Sequence, residues 1–73
     1  MQRRKLSSVE LLLNGENRRV NAATVQELIE EYGLTGKLVV VEIDGDIVDK
    51  RYWNEKKLEA GMKVELVHFV GGG

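Results

Sequence analysis

Cysteine is missing from this sequence altogether, and several kinds of chemistry go with it. There is no disulfide framework, no thiolate nucleophile and no thiolate metal site. Histidine occurs once, as His68, which excludes a metal centre built from several imidazoles. Aromatic residues are few (one Trp, one Phe, two Tyr), so a core must be built from Leu, Ile and Val. A surplus of one charge is also lacking. Eleven basic and twelve acidic residues leave a formal net charge of -1, without the basic stripe of a nucleic-acid binder. The one basic cluster, Arg3, Arg4 and Lys5, reads as part of a frayed N-terminal extension over residues 1–8. No apolar run approaches the length of a membrane span. The opening "MQRRKLSS" leads into a strand, not into the long apolar run of a signal peptide. The expectation is a cytoplasmic single domain over residues 9–70, near the lower size limit for one core.

What is present falls into short periodic segments. In "VELLLNG", Val9, Leu11 and Leu13 share one parity and Glu10 and Leu12 the other, as in a half-buried strand. Asn14-Gly15 then signals a tight hairpin whose central residues tolerate positive φ. The return segment "ENRRV" offers only Val20 to a core and has the charge of a protected edge strand. "TVQELIEEYGL" changes period: Val25, Leu28, Ile29 and Tyr32 fall on one helical face. Thr24 and Glu27 form a capping box, and Gly33 supplies a left-handed stop with Leu34 folding back over the last turn. "KLVVVEIDGDIV" is again a strand, with Val39, Val41 and Ile43 opposite in parity to Leu38, Val40 and Glu42. Asp44-Gly45 turns it into a short segment carrying Ile47 and Val48. "DKRYWNEKKLEAG" has no clear period and reads as a long connection anchored by Tyr52, Trp53 and Leu58. "MKVELVHFV" is the last strand.

One helix and one amphipathic sheet pack economically only when the helix crosses one sheet face. The predicted fold is α+β, a mixed β-grasp sheet as in ubiquitin, with the last strand between the first and the third. If Val9, Leu11, Leu13, Val39, Val41, Ile43, Val64 and Leu66 face the helix, then Leu12, Val40, Val67 and Phe69 face outward. With Val70 they are expected to form one contiguous apolar patch, a pattern that marks a partner surface.

Little here performs chemistry unaided. His68 is expected at the rim of the core. Glu30, Glu31, Asp44, Asp46 and Asp49 read as solvated charge, and Gly33–Gly36 lacks the spacing and lysine of a phosphate loop. Ser7 and Ser8 have no base in any evident motif. Attention falls on "HFVGGG". Glycines carry no Cβ to obstruct a narrow channel, and Gly71, Gly72 and Gly73 span about 10 Å when extended. A main-chain carboxylate on such a thread can reach a partner enzyme's active site. The residues alone leave open a flexible linker in place of a working terminus.

From Val9 onward the chain resembles the ThiS family, the sulfur carriers of bacterial thiamine biosynthesis. The residues that carry the resemblance are "LNG", "TVQELI", "VEIDGDIV", Trp53 and "LEAGMKVELVHFVGGG". Two features depart from it: the stretch Met1–Ser8 precedes the usual start, and Met62 stands where many members have Asp. The resemblance implies a carrier that is not itself an enzyme and binds no cofactor or metal. A ThiF-type adenylyltransferase would use ATP to adenylate Gly73, and a persulfide derived from cysteine by a desulfurase would convert it to a thiocarboxylate. A ThiG-type thiazole synthase would receive the sulfur, and the free carrier would be a monomer. Gly71 and Gly72 would thread the channels while Leu12, Val40, Val67, Phe69 and Val70 dock.

Three other readings remain. A carrier serving molybdopterin synthase is the nearest, although such chains often have proline near the tail and this one has none. A ubiquitin-type modifier shares the activation but ends in an isopeptide bond. A non-covalent β-grasp interaction module needs no terminal chemistry.

Overall fold

The computed structural model describes residues 8–69. The expected domain limits at residues 8 and 70, together with Val70 and the three C-terminal glycines, therefore meet or lie beyond the edge of the described chain. Five strands and one helix follow in the order β1 (Val9–Leu13), β2 (Glu16–Val20), α1 (Val25–Glu31), β3 (Val39–Ile43), β4 (Asp46–Ile47) and β5 (Lys63–His68). A 3₁₀ turn, Lys50–Tyr52, interrupts the long connection before β5. The sheet order is β2-β1-β5-β3-β4. Strand β5 runs parallel to β1 and antiparallel to β3, which makes the sheet mixed.

The two hairpins follow from their turn residues. Asn14 and Gly15 have φ of 49° and 82°, and Asp44 and Gly45 have φ of 51° and 91°. These are the left-handed conformations that a tight antiparallel turn requires. Register then fixes parity. Leu11, Leu13, Val20, Val41, Ile43, Val64 and Leu66 join Val25, Leu28 and Ile29 of α1 in one buried cluster, so the helix lies across a single sheet face.

Seven residues of helix would be marginal in isolation, and both ends of α1 are tied down. The Glu27 amide donates to Thr24 Oγ1 at 3.2 Å, while the Glu27 carboxylate accepts from the Ala23 amide at 2.7 Å. The capping box thus reaches one residue further back than the usual return to the cap residue's own amide. The first-turn amides of Val25 and Gln26 donate to the Lys56 and Trp53 carbonyls, each at 3.0 Å. At the other end the Gly33 and Leu34 amides donate to the Glu30 and Ile29 carbonyls, the paired bonds of a Schellman stop. The helix ends at Glu31, so Tyr32, expected on its apolar face, is 39% exposed.

The connection anchors itself through Trp53 and Leu58, both buried. Trp53 Nε1 donates to the Val48 carbonyl at 3.0 Å. Tyr52, expected to anchor with them, is half exposed and lies 5.4 Å beneath the Arg51 guanidinium.

Two turn side chains grip β5 itself. Direct pairing of β1 with β5 covers only Leu12–Lys63 and Leu13–Val64. One step on, the Asn14 side-chain amide replaces the next rung: its Oδ1 accepts from the Leu66 amide at 2.7 Å and its Nδ2 donates to the Leu66 carbonyl at 3.2 Å. Across the sheet, Asp44 Oδ1 accepts from the Lys63 amide at 3.1 Å. Asn14→Gly keeps the turn conformation and removes the grip, leaving two partly buried backbone groups without these partners. The expected loss is about 1–3 kcal/mol of unfolding free energy by urea titration. A loss under about 0.5 kcal/mol would assign the grip no weight.

Candidate functional site

The site begins where β5 leaves the hairpin behind. Among the described residues, the strand beyond Leu66 is flanked by β3 alone, through the pairs Val40–Val67 and Val39–His68. A last bond from the Phe69 amide to the Leu38 carbonyl, at 3.0 Å, extends the same register by one step. Alternation then sends Val67 of β5 and Phe69 just after it, and Val40 of β3 and Leu38 just before it, to the face opposite α1. Opposed side chains on one sheet face stand about 4.5–5.5 Å apart at Cβ, so these four make a compact two-by-two block. Leu38 is 71% exposed, Phe69 54% and Val67 51%, while Val40 is half-buried. A contiguous apolar block on so small a domain is the kind of surface that a partner covers.

Three of the four expected outward residues therefore come together as the parity predicts. Leu12 does not join them. It lies opposite Lys63, a full strand repeat short of Glu65 and two short of Val67, and lines an open hollow of about 500 Å³ with Glu10, Asn17, Ala60 and Gly61. The contiguity expected for Leu12 fails because a parallel neighbour offset by the hairpin ends too early to reach the block. Leu38 is the member that the sequence reading left out. Its signal was present, since it shares the parity of Val40, but it stands one residue before the strand begins. Val70, Gly71, Gly72 and Gly73 lie outside the described residues.

His68 is exposed, not set into the core rim. Its side chain takes the inward parity, but it pairs with the half-buried Val39 at the last rung of β5, past the end of the helix-covered core. Among the described residues no three of His, Cys, Asp and Glu gather into a metal-binding group, and no helix is long and apolar enough to cross a membrane. Glu31, expected as solvated charge, accepts from the Asn21 amide at 3.1 Å and ties the end of β2 to the helix.

A mixed five-stranded sheet crossed by one helix, with its last strand central, defines a ubiquitin-like β-grasp domain. Comparison with known proteins then gives the family. The ThiS family model matches residues 11–73. The sulfur carrier protein ThiS of Bacillus subtilis is 38% identical over 65 residues, covering 86% of this chain and 98% of that protein. A thiazole synthase of Paramagnetospirillum magneticum is 38% identical over 66 residues, covering 89% of this chain but only 20% of that longer protein. Among solved structures, the crystal structure of the thiamine biosynthesis protein ThiS from Geobacter metallireducens superposes with a TM-score of 0.73. That match is 28% identical and covers 89% of this chain and all of the other. The chain belongs to the ThiS family, the sulfur carriers of thiamine biosynthesis.

The face assignment has a direct test. Leu38→Ser and Phe69→Ser are expected to change unfolding free energy by less than about 0.5 kcal/mol. Leu66→Ala, on the inward parity of the same strand, is expected to cost about 2–3 kcal/mol. Equal losses from the two sets in chemical denaturation would mean that the open face is packed.

Proposed function

We propose that this carrier works through the carboxylate of Gly73 and serves thiazole formation without catalysing a step itself. The observation that carries the reading is the family match over residues 11–73, beside an apolar block at the end of β5. A carboxylate at neutral pH is ionised and has no leaving group. Its oxygen attacks the α-phosphorus of ATP on a ThiF-type adenylyltransferase, pyrophosphate departs, and an acyl adenylate results. The terminal sulfur of a cysteine-derived persulfide then attacks the carbonyl carbon and AMP leaves. A second thiol cleaves the sulfur–sulfur bond, leaving a disulfide on the donor and a thiocarboxylate on the carrier.

The thiocarboxylate is a good nucleophile and is escorted to its acceptor without release of free sulfide. A thiazole synthase is the receiver, a reading supported by the carrier-like segment within the Paramagnetospirillum thiazole synthase. Gly71 and Gly72 pass through the partners' channels because they present no Cβ. Leu38, Val40, Val67 and Phe69, continued by Val70, dock on those partners. Leu12 contributes only to a partner large enough to reach the separate hollow by Gly61. The carrier binds no cofactor of its own, is a monomer when free, and its ATP-consuming cycle is a cytoplasmic one.

Deletion of Gly73, or addition of one residue after it, is expected to abolish rescue of a thiamine-requiring strain that lacks its carrier, while leaving the thermal transition unchanged. Intact-mass measurement of protein from cells is expected to find oxygen replaced by sulfur at the terminus, a gain of about 16 Da per exchange. Conjugates to lysines of other proteins, with no sulfur form, would assign a modifier role instead. Full rescue by the extended protein would return the chain to the non-covalent module.

A further inference from the structure

Next to the apolar block, β3 and β5 set two carboxylates side by side. Glu42 and Glu65 are direct partners in the antiparallel register, both half-buried on the face away from α1. The bonds Asp44 amide to Lys63 carbonyl and Phe69 amide to Leu38 carbonyl mark the hydrogen-bonded rungs. By alternation Glu42–Glu65 is another, with Cα atoms about 5.5 Å apart. Like charges directly opposed across a strand pair are destabilising, so the rung calls for a cation.

The neighbouring elements do not supply one at ion-pair distance. On the β4 side stands Ile47, and on the β1 side Asn14 is engaged with Leu66. Lys63, two residues back on β5, meets Asp44 through its backbone amide and carbonyl. The Glu10 carboxylate is already 3.6 Å from Arg19. Among the described residues, no ion pair involves Glu42 or Glu65. Lys63 itself is in no ion pair with Glu42, Glu65 or Asp44. A divalent metal would want six or more oxygen ligands, which this flat rung does not offer. A guanidinium, planar and with five donors, suits two adjacent carboxylates.

We infer that the Glu42–Glu65 rung receives a basic side chain, best an arginine, from the thiazole synthase whose apolar surface covers Leu38, Val40, Val67 and Phe69. This rests on the reading of the open face as a docking surface and adds the partner's charge to it. The rung is one strand repeat, about 7 Å, from Val40 and Val67, and two repeats, about 13 Å, from Leu38 and Phe69. An apolar block alone lets a partner slide. A charge at fixed distance along β5 sets the partner's register, and with it the entry of the glycines.

The test is calorimetric titration of the full carrier with the thiazole synthase of the same organism, comparing wild type with the double variant Glu42→Gln, Glu65→Gln. At about 50 mM salt the variant is expected to bind about tenfold more weakly, and the gap is expected to close near about 1 M salt, where screening extends to about 3 Å. The variant's own melting temperature is expected to hold or rise by about 2–4 °C as the repulsion is relieved. Weaker binding by a more stable protein is an outcome that a purely structural role cannot give. Equal affinity at low salt, or a loss that persists at high salt, overturns the inference. The same comparison with Gly73 deleted is expected to give the same gap, which separates this result from failure of the tail chemistry. A carrier that binds in neither form overturns it even where tail activation is intact.

Discussion

Strand β5 enters the sheet last in sequence and lies at its centre in space, and its placement determines what the domain can present. It has only two direct rungs on β1. The side chains of two turns complete the hold, Asn14 on one flank through Leu66 and Asp44 on the other through Lys63. Because side chains alternate strictly along a strand, a slip of one residue would move Val64 and Leu66 out of the core and Val67 into it. The backbone grip therefore decides which apolar residues stabilise the fold and which remain for a partner. It also decides where the chain leaves the sheet.

Local signals were legible wherever one stretch of chain contains its own cause. Asn14-Gly15 and Asp44-Gly45 impose turn geometry by positive φ, and Thr24, Glu27, Gly33 and Leu34 bracket the helix by hydrogen bonds within a few residues. Strand parity was enough to foresee Val40, Val67 and Phe69 on the open face. What escaped depends on residues far apart in sequence. Leu38 looks like a pre-strand residue until Phe69 is seen to bond to its carbonyl. Leu12 looks like a patch member until the short β1–β5 register is known. Asn14 reads as a turn former, and nothing nearby suggests that its amide binds a backbone fifty-two residues away. Tyr52 and Trp53 are adjacent aromatics of similar promise, and only the long connection's path over the first turn of α1 buries one and leaves the other in solvent. The resemblance to sulfur carriers was legible above all from the final segment.

The inner and outer faces of β5 answer to different pressures. Inward, Val64 and Leu66 contribute to a small core in which each lost methylene matters, since a domain of this size holds little stability in reserve. Outward, Val67 and Phe69 leave about half of their surface in solvent, and Glu65 stands opposite the like charge of Glu42. A surface selected only for solubility and stability would place threonines or paired opposite charges at these rungs. Apolar and like-charged rungs stacked in succession toward the chain end make sense as the complement of a surface on another protein.

That division bears directly on the proposed cycle, in which so small a chain meets more than one partner. In the proposed cycle, activation and delivery each bring the same carboxylate into a different enzyme, and side chains on the tail suited to one channel would obstruct the other. Glycines satisfy that demand by offering none, which leaves recognition to the sheet. Recognition must then sit close enough to the exit of β5 to aim the thread, and rigidly enough that binding energy is not spent ordering it. The block on β3 and β5 meets both conditions because it lies on the central pair of strands. An edge strand such as β2 or the two-residue β4 would meet neither.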